Sequence, residues 1–244
     1  MAKLNEIGES QFRTVLVYGD SGAGKTVFAT GFPGPVWIGD FDGKISSAAA
    51  FYKGTPQYDL IEYETYSGHK SWMPFVNKVN ELAKASKEQF PYKTLVVDSI
   101  TTFAASMMEE VMRQNPGSGR SKMLDTQVPN LKDYQIAISH CKDVIKKILS
   151  FRDRCNVVMT AHIQKDKDEA SGEILFQPLI WGKDLPSWLP MVFEEVYRAY
   201  AEVKEGKSLH WAQTRAEKKY IARTHLQKAP SPMKLDYNEM KKFF

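Results

Sequence analysis

The eight residues Gly19-Asp20-Ser21-Gly22-Ala23-Gly24-Lys25-Thr26 constrain this chain more than any others. They fit the phosphate-loop pattern G-x-x-x-x-G-K-[ST] in full, a loop that works between a strand and a helix. The flanks supply both. Thr14-Val15-Leu16-Val17-Tyr18 is short, apolar and β-branched, as a buried strand requires. A helix can open at Thr26 and run to Thr30, stopped by Gly31 and the Pro33-Gly34-Pro35 turn. Glycines in such a loop let backbone N–H groups turn inward as a nest for an anion. Lys25 then reaches the β- and γ-phosphates, and the Thr26 hydroxyl ligates magnesium. The stretch predicts a nucleoside triphosphate site, with Gly19 to Thr26 as its cradle.

The 244 residues suffice for one large α/β domain, and no linker or internal repeat divides them. Buried strands are predicted at Val36–Gly39, Thr94–Ser99 and Asn156–Thr160, and a strand at an edge over Tyr58–Tyr63. Helical spacing marks Ser46–Phe51, the region after Ser71, Ile100–Arg113 (whose methionines read as core filler), and a long stripe. That stripe is Leu131, Tyr134, Ile138, Cys141, Ile145, Ile148 and Leu149. Between them, Asn115–Pro129 reads as a long functional loop, and Lys165–Gly172 as a charged one. Short strands follow at Ile174–Gln177, Glu195–Val203 and Ser208–Thr214, the last two joined by a Glu205-Gly206-Lys207 turn. Strands alternating with helices predict a mostly parallel central sheet flanked by helices, with antiparallel strands near the C-terminus. Residues 227–244, with Pro230 and Pro232, read as a flexible tail behind a core of residues 1–226.

In such sheets ligands sit at the carboxyl ends of the strands, and polar residues gather there. Asp98 ends an apolar strand, the position of a magnesium-organising carboxylate, although it can also cap the helix that follows. The next residue is Ser99 rather than Glu, so a base for water must come from elsewhere. Asp42 is the candidate, with Asp40 competing for the role and a plain turn before Gly43 as the other reading. His162 and Gln164 follow the last core strand.

These motifs resemble a RecA-like P-loop ATPase. The motifs GDSGAGKT, DFD, IEYETY, LVVDS and TAHIQ appear in the order of that fold. Within the group the chain is most similar to the phage single-strand annealing and recombination ATPases of the fourth Sak group. That likeness rests on DFDGK at 40–44, VVDSIT at 96–101, MTAHIQKD at 159–166 and LIWGKDLPSWLP at 179–190, and it extends to about Leu226. The resemblance implies ATP and Mg2+ as cofactors, and Lys25, Asp42, Asp98, His162 and Arg223 as the catalytic set. Asp42 falls at the catalytic carboxylate, one methylene shorter than the usual Glu, and His162 at the sensor of the γ-phosphate. It further implies single-stranded DNA as partner, contacted by the loops 115–129 and 164–182 through Arg120, Lys122, Lys165, Lys167 and Lys183. A homo-oligomer with nucleotide at subunit interfaces is implied too, and a single-strand-binding protein as a further partner. In that arrangement Arg223 is the first choice for a cation reaching the neighbour's site, with Lys218 or Lys219 in reserve.

Composition adds limits. The net charge is +4, and from Glu202 to Phe244 ten Lys or Arg stand against five Asp or Glu, a basic end suited to a phosphate backbone or a neighbouring subunit. Cys141 and Cys155 form no C-x-x-C pair and read as buried thiols of a reducing cytoplasm, that of a bacterial host for a phage-encoded chain. No apolar run reaches membrane-spanning length and no signal-peptide core begins the chain. The competing reading is a nucleotide-switched, partner-binding ATPase of the same fold, like the KaiC-related proteins, indifferent to DNA. A small-molecule kinase is disfavoured by strand order and the lack of an Arg-rich lid; an AAA+ machine, by Ser99 and the lack of a helical lid domain.

Overall fold

The computed structural model describes residues 12–68, 71–115, 117–120, 127–167, 172, 174–217 and 219–244. The run Thr14–Gly19 forms strand β1, with every residue buried. It lies in mid-sheet with a parallel neighbour on each side, β7 (Asn156–Ala161) and β10 (Glu195–Lys204). That position explains its unbroken apolar character: Leu16 and Tyr18 enter one core cluster while Val15 and Val17 enter the other. The remaining core strands are β2 (Val36–Asp40), β3 (Ile61–Thr65) and β4 (Thr94–Asp98). Two antiparallel strands, β11 (Lys207–Gln213) and β12 (Met233–Lys234), complete an eight-stranded sheet of order β12-β11-β10-β1-β7-β4-β2-β3. β3 is the edge strand and mostly exposed, and a 3-10 turn at Tyr58–Leu60 replaces the start of the strand predicted there.

Helices cover both faces. On one side α3 (Trp72–Leu82), α4 (Ile100–Gln114), α5 (Leu131–Leu149) and α6 (Asp184–Met191) bury Phe75, Phe103, Met107, Ile145 and Leu189. On the other side lie α1 (Lys25–Thr30) and α7 (Tyr237–Met240), with Phe28, Phe32, Met233 and Met240 in the core; α2 (Ser46–Tyr52) buries only Ala48. Of the predicted α5 stripe, Leu131 is 76% exposed. It opens the helix beyond the sheet's rim, where Asn130 and Asp133 close a capping box instead. Met107 and Met108 are core filler as predicted, and both thiols are free and buried.

Three further differences from the predicted elements stand out. The charged loop after His162 begins as a strand, β8 (Ile163–Lys167), paired antiparallel with β9 (Ile174–Pro178) in a separate hairpin. The 115–129 loop is pinched by a two-residue ribbon, β5 (Gly119–Arg120) with β6 (Gln127–Val128). Residues 227–244 do not form the predicted loose tail: β12 pairs with β11, Met240 is fully buried, and Asp236 caps α7. The apolar side chains Met233, Leu235 and Met240 supply the burial that the prolines in the segment obscured. No helix among the described residues is long and apolar enough to cross a membrane.

Candidate functional site

The phosphate loop leaves β1 under a steric constraint. A Cβ on Gly19 would lie 2.1 Å from the Ala199 carbonyl oxygen of β10, so the loop's first residue must lack one. Gly22 and Gly24 then take φ of +80° and +87°, the left-handed turns that lead into α1. Ala23 is buried in the core and Asp20 gives the loop its backbone carbonyl, so these two serve through the main chain. Lys25 folds over the loop, its Nζ donating to the carbonyls of Gly19 at 2.9 Å and Asp20 at 2.8 Å. Burial pushes its proton affinity down, against the pull of Asp98, Asp42 and Asp20.

The Thr26 hydroxyl donates to Asp98 Oδ2 at 2.6 Å, and Thr160 on β7 donates to Asp98 Oδ1. Burial raises the Asp98 carboxyl above its ordinary range, helped by the charges of Asp42 and Asp40 and opposed by the two hydroxyls. Ser99, not Asp98, caps α4, through an N–H from Thr102. Asp98 and Thr26 therefore present a hard oxygen pair beside the loop. This is the donor set magnesium takes when phosphate and water oxygens complete its shell. No cluster of three or more carboxylate, His or Cys ligands exists among the described residues, and such a shell needs none.

The two carboxylates at the end of β2 and just beyond it make different contacts. Asp40 is 1% exposed and accepts the N–H groups of Lys44 and Ile45, which fixes the turn. Asp42 faces the cleft and accepts from Ser99 Oγ at 2.8 Å, Thr102 Oγ1 at 2.5 Å and His162 Nε2 at 2.9 Å. Burial alone would raise its carboxyl, but these hydrogen bonds, His162 foremost, hold it well below the usual carboxylate range. Ser21, Gly22, Gly24, Lys25, Thr26, Asp42, Asp98 and His162 thus line one cleft of about 350 Å³.

His162 also links this cleft to the β8–β9 hairpin. Its N–H donates to Thr101 Oγ1, whose hydroxyl donates to the Leu179 carbonyl, and the Leu179 N–H returns to the His162 carbonyl. The hairpin's root is tied to β1 as well: Tyr18 Oη donates to the carbonyls of Ile221 at 2.6 Å and Phe176 at 3.3 Å. Phe176 stacks on Tyr220, which the Arg198 guanidinium covers at 3.7 Å.

Other predicted residues lie apart from the cleft. Lys165 and Lys167 are exposed on β8, with Asp166 between them accepting from Gln177; Lys183 precedes α6. Arg120 lies in β5, while Lys122 and the reserve Lys218 fall outside the described residues. The Arg223 guanidinium donates to the carbonyls of Pro190 (3.0 Å) and Phe193, and its backbone pairs with Val196. In its own chain this exposed residue closes the end of α6. Among the cleft residues that went unpredicted are Lys44 and His210. Lys44 carried a signal as the end of DFDGK, whereas His210 on β11, 3.0 Å from where a Gly24 Cβ would lie, had none beyond its strand.

Among solved structures, the chain is similar to the RadB recombinase at 15% identity and a TM-score of 0.50, over 93% of this chain and 89% of that one. A KaiC-like protein from Pyrococcus horikoshii OT3 matches at 12% identity and 0.47, over 93% and 87%. The flagellar accessory protein FlaH from Methanocaldococcus jannaschii matches at 10% and 0.45, over 91% and 83%. At such identities the likeness concerns fold alone. No curated protein matches the chain. The family model that matches, over residues 11–226, is described as an AAA domain, a label the sequence argued against. Between β7 and residue 226, α6 is the one helix of the described residues, and no helical lid is formed by them. With nine-tenths of its length inside that match, the chain belongs to the AAA domain family, built on a RecA-like P-loop fold.

Proposed function

We propose that the protein is a magnesium-dependent ATPase that acts on single-stranded DNA in phage recombination or replication, by strand annealing or as a recombinase. The observation that carries the ATPase reading is the convergence of Lys25, Thr26, Asp98, Asp42 and His162 on one cleft. The loop and Lys25 bind the phosphates of ATP, and Thr26 and Asp98 are the residues to hold Mg2+, which neutralises charge on the β- and γ-oxygens. Asp42, kept ionised by its three donors, is the base that takes a proton from water.

The DNA part rests on the resemblance and on one connection. His162 touches Asp42 on one side and opens β8, with its exposed Lys165 and Lys167, on the other. Loss of the γ-phosphate would be felt at His162 and passed through Thr101 and Leu179 to the hairpin. Lys183, Arg120 and Lys122 extend the cationic set. A homo-oligomer with sites at subunit interfaces belongs to the same reading, with Arg223 as the first choice for the neighbour's cation and Lys218 or Lys219 in reserve. A DNA-indifferent nucleotide switch is the second reading, favoured by Asp166 standing between the two lysines of β8.

Phosphate release from ATP, measured with and without single-stranded DNA and with Lys25→Ala as control, separates them. Stimulation by DNA that disappears in Lys25→Ala supports the first reading. A rate indifferent to DNA, without DNA binding in ATP and magnesium, leaves the switch.

A further inference from the structure

The motif Asp40-Phe41-Asp42-Gly43-Lys44 brings a second ammonium to the phosphate cleft. Its backbone is fixed at three points. The Lys44 N–H donates to the buried Asp40 carboxylate at 3.2 Å, and its carbonyl accepts from Ser47 N at 3.1 Å and Ser47 Oγ at 2.9 Å. Gly43, at φ +66°, makes the left-handed turn between Asp42 and Lys44, and both residues line the cleft. Asp40 thus holds in place the turn that carries base and cation together.

Among the described residues the lining offers two lysines, two histidines and no arginine. Lys25 is hydrogen-bonded to the loop's carbonyls, whereas the Lys44 ammonium has no hydrogen bond or ion pair within the described residues. Two lysines thus line one cleft, and an anion bound between them would draw on both.

We propose that Lys44 contacts the γ-phosphate of a nucleoside triphosphate held at Gly19–Thr26, and supplies from within the same chain the positive charge that phosphoryl transfer requires. The proposal rests on the ATPase reading above. In the step it serves, a water oxygen bonds to the γ-phosphorus as the bond to the β–γ bridging oxygen breaks. ADP leaves with that electron pair, and Asp42 takes the water proton. Charge gathers on the γ-phosphoryl oxygens and on the leaving oxygen, where a fixed cation lowers the barrier.

The test is a pair of affinities, for a non-hydrolysable ATP analogue and for ADP, each with magnesium, in the unaltered protein, Lys25→Ala, Lys44→Ala and Lys44→Arg. A residue that meets only the γ-phosphate gives a split: Lys44→Ala weakens the triphosphate analogue about tenfold and leaves ADP unchanged. Single-turnover phosphate release falls with it by about a hundredfold, and Lys44→Arg recovers most of both. Because Lys44 uses only backbone atoms to hold its turn, the alanine variant keeps the fold, which circular dichroism checks. Equal affinities in Lys44→Ala and the unaltered protein overturn the proposal, as does an equal loss for both nucleotides. If the unaltered protein binds neither nucleotide, the ATPase reading fails as well.

Discussion

A methyl group on Gly19 meets the carbonyl oxygen of Ala199, and neither partner is a side chain that can swing away. Gly19→Ala must push β1 from β10 or bend the phosphate loop. The expected result is a loss of about 1–3 kcal/mol in urea unfolding, with nucleotide binding abolished. Gly22→Ala, with open space around it and only its positive φ to strain, is the milder control. A second residue prediction concerns His162, whose hydrogen bond is the foremost influence holding the Asp42 carboxyl down. Its folded value is depressed, so the stability from Asp42 is present above the unfolded carboxylate range, near pH 4, and is lost as pH falls through the folded value. In His162→Ala burial is less opposed and the carboxyl rises. The acidic limb of the pH–rate profile for phosphate release then moves to higher pH; an unmoved limb would detach His162 from the base. At this scale the sequence was legible where chemistry and spacing coincide, at Lys25, Thr26 and Asp98. It favoured Asp42 but left Asp40 competing, because the donors that distinguish them, Ser99, Thr102 and His162, lie on distant elements.

Among the elements, the buried parallel strands announced themselves because both of their faces are apolar. β8 did not: Ile163-Gln164-Lys165-Asp166-Lys167 lies in a two-stranded hairpin with mostly solvent around it, so no alternation is imposed. α6 went unpredicted: it carries Pro186 and Pro190, residues that disfavour helix interiors, although one sits in the first turn and the other in the last. The C-terminal segment was misjudged for a related reason. Its prolines dominate the pattern, while Met233, Leu235 and Met240 bury themselves singly against the α1 face. Met240→Ala tests this directly. A frayed end would tolerate it, whereas the packed segment loses about 2–4 kcal/mol in chemical denaturation.

Over the whole molecule, the alternation of strands and helices was readable but their lateral order was not. Nothing in a local pattern says that β7 and β10 flank β1, and only the likeness to a RecA-like ATPase suggested such an arrangement. That order carries a consequence for how the protein is made. The strand that bears the phosphate loop is synthesised well before either of its neighbours, for Leu16 pairs with Met159 on one side and Val196 on the other. Its two supports arrive only after the long segments between have been synthesised. Until then the loop has no sheet to spring from, and the nascent chain exposes an apolar ribbon that must wait for its neighbours. Such distant pairings make for slow folding. The nucleotide cradle, made ahead of both strands that support it, is thus completed only after them.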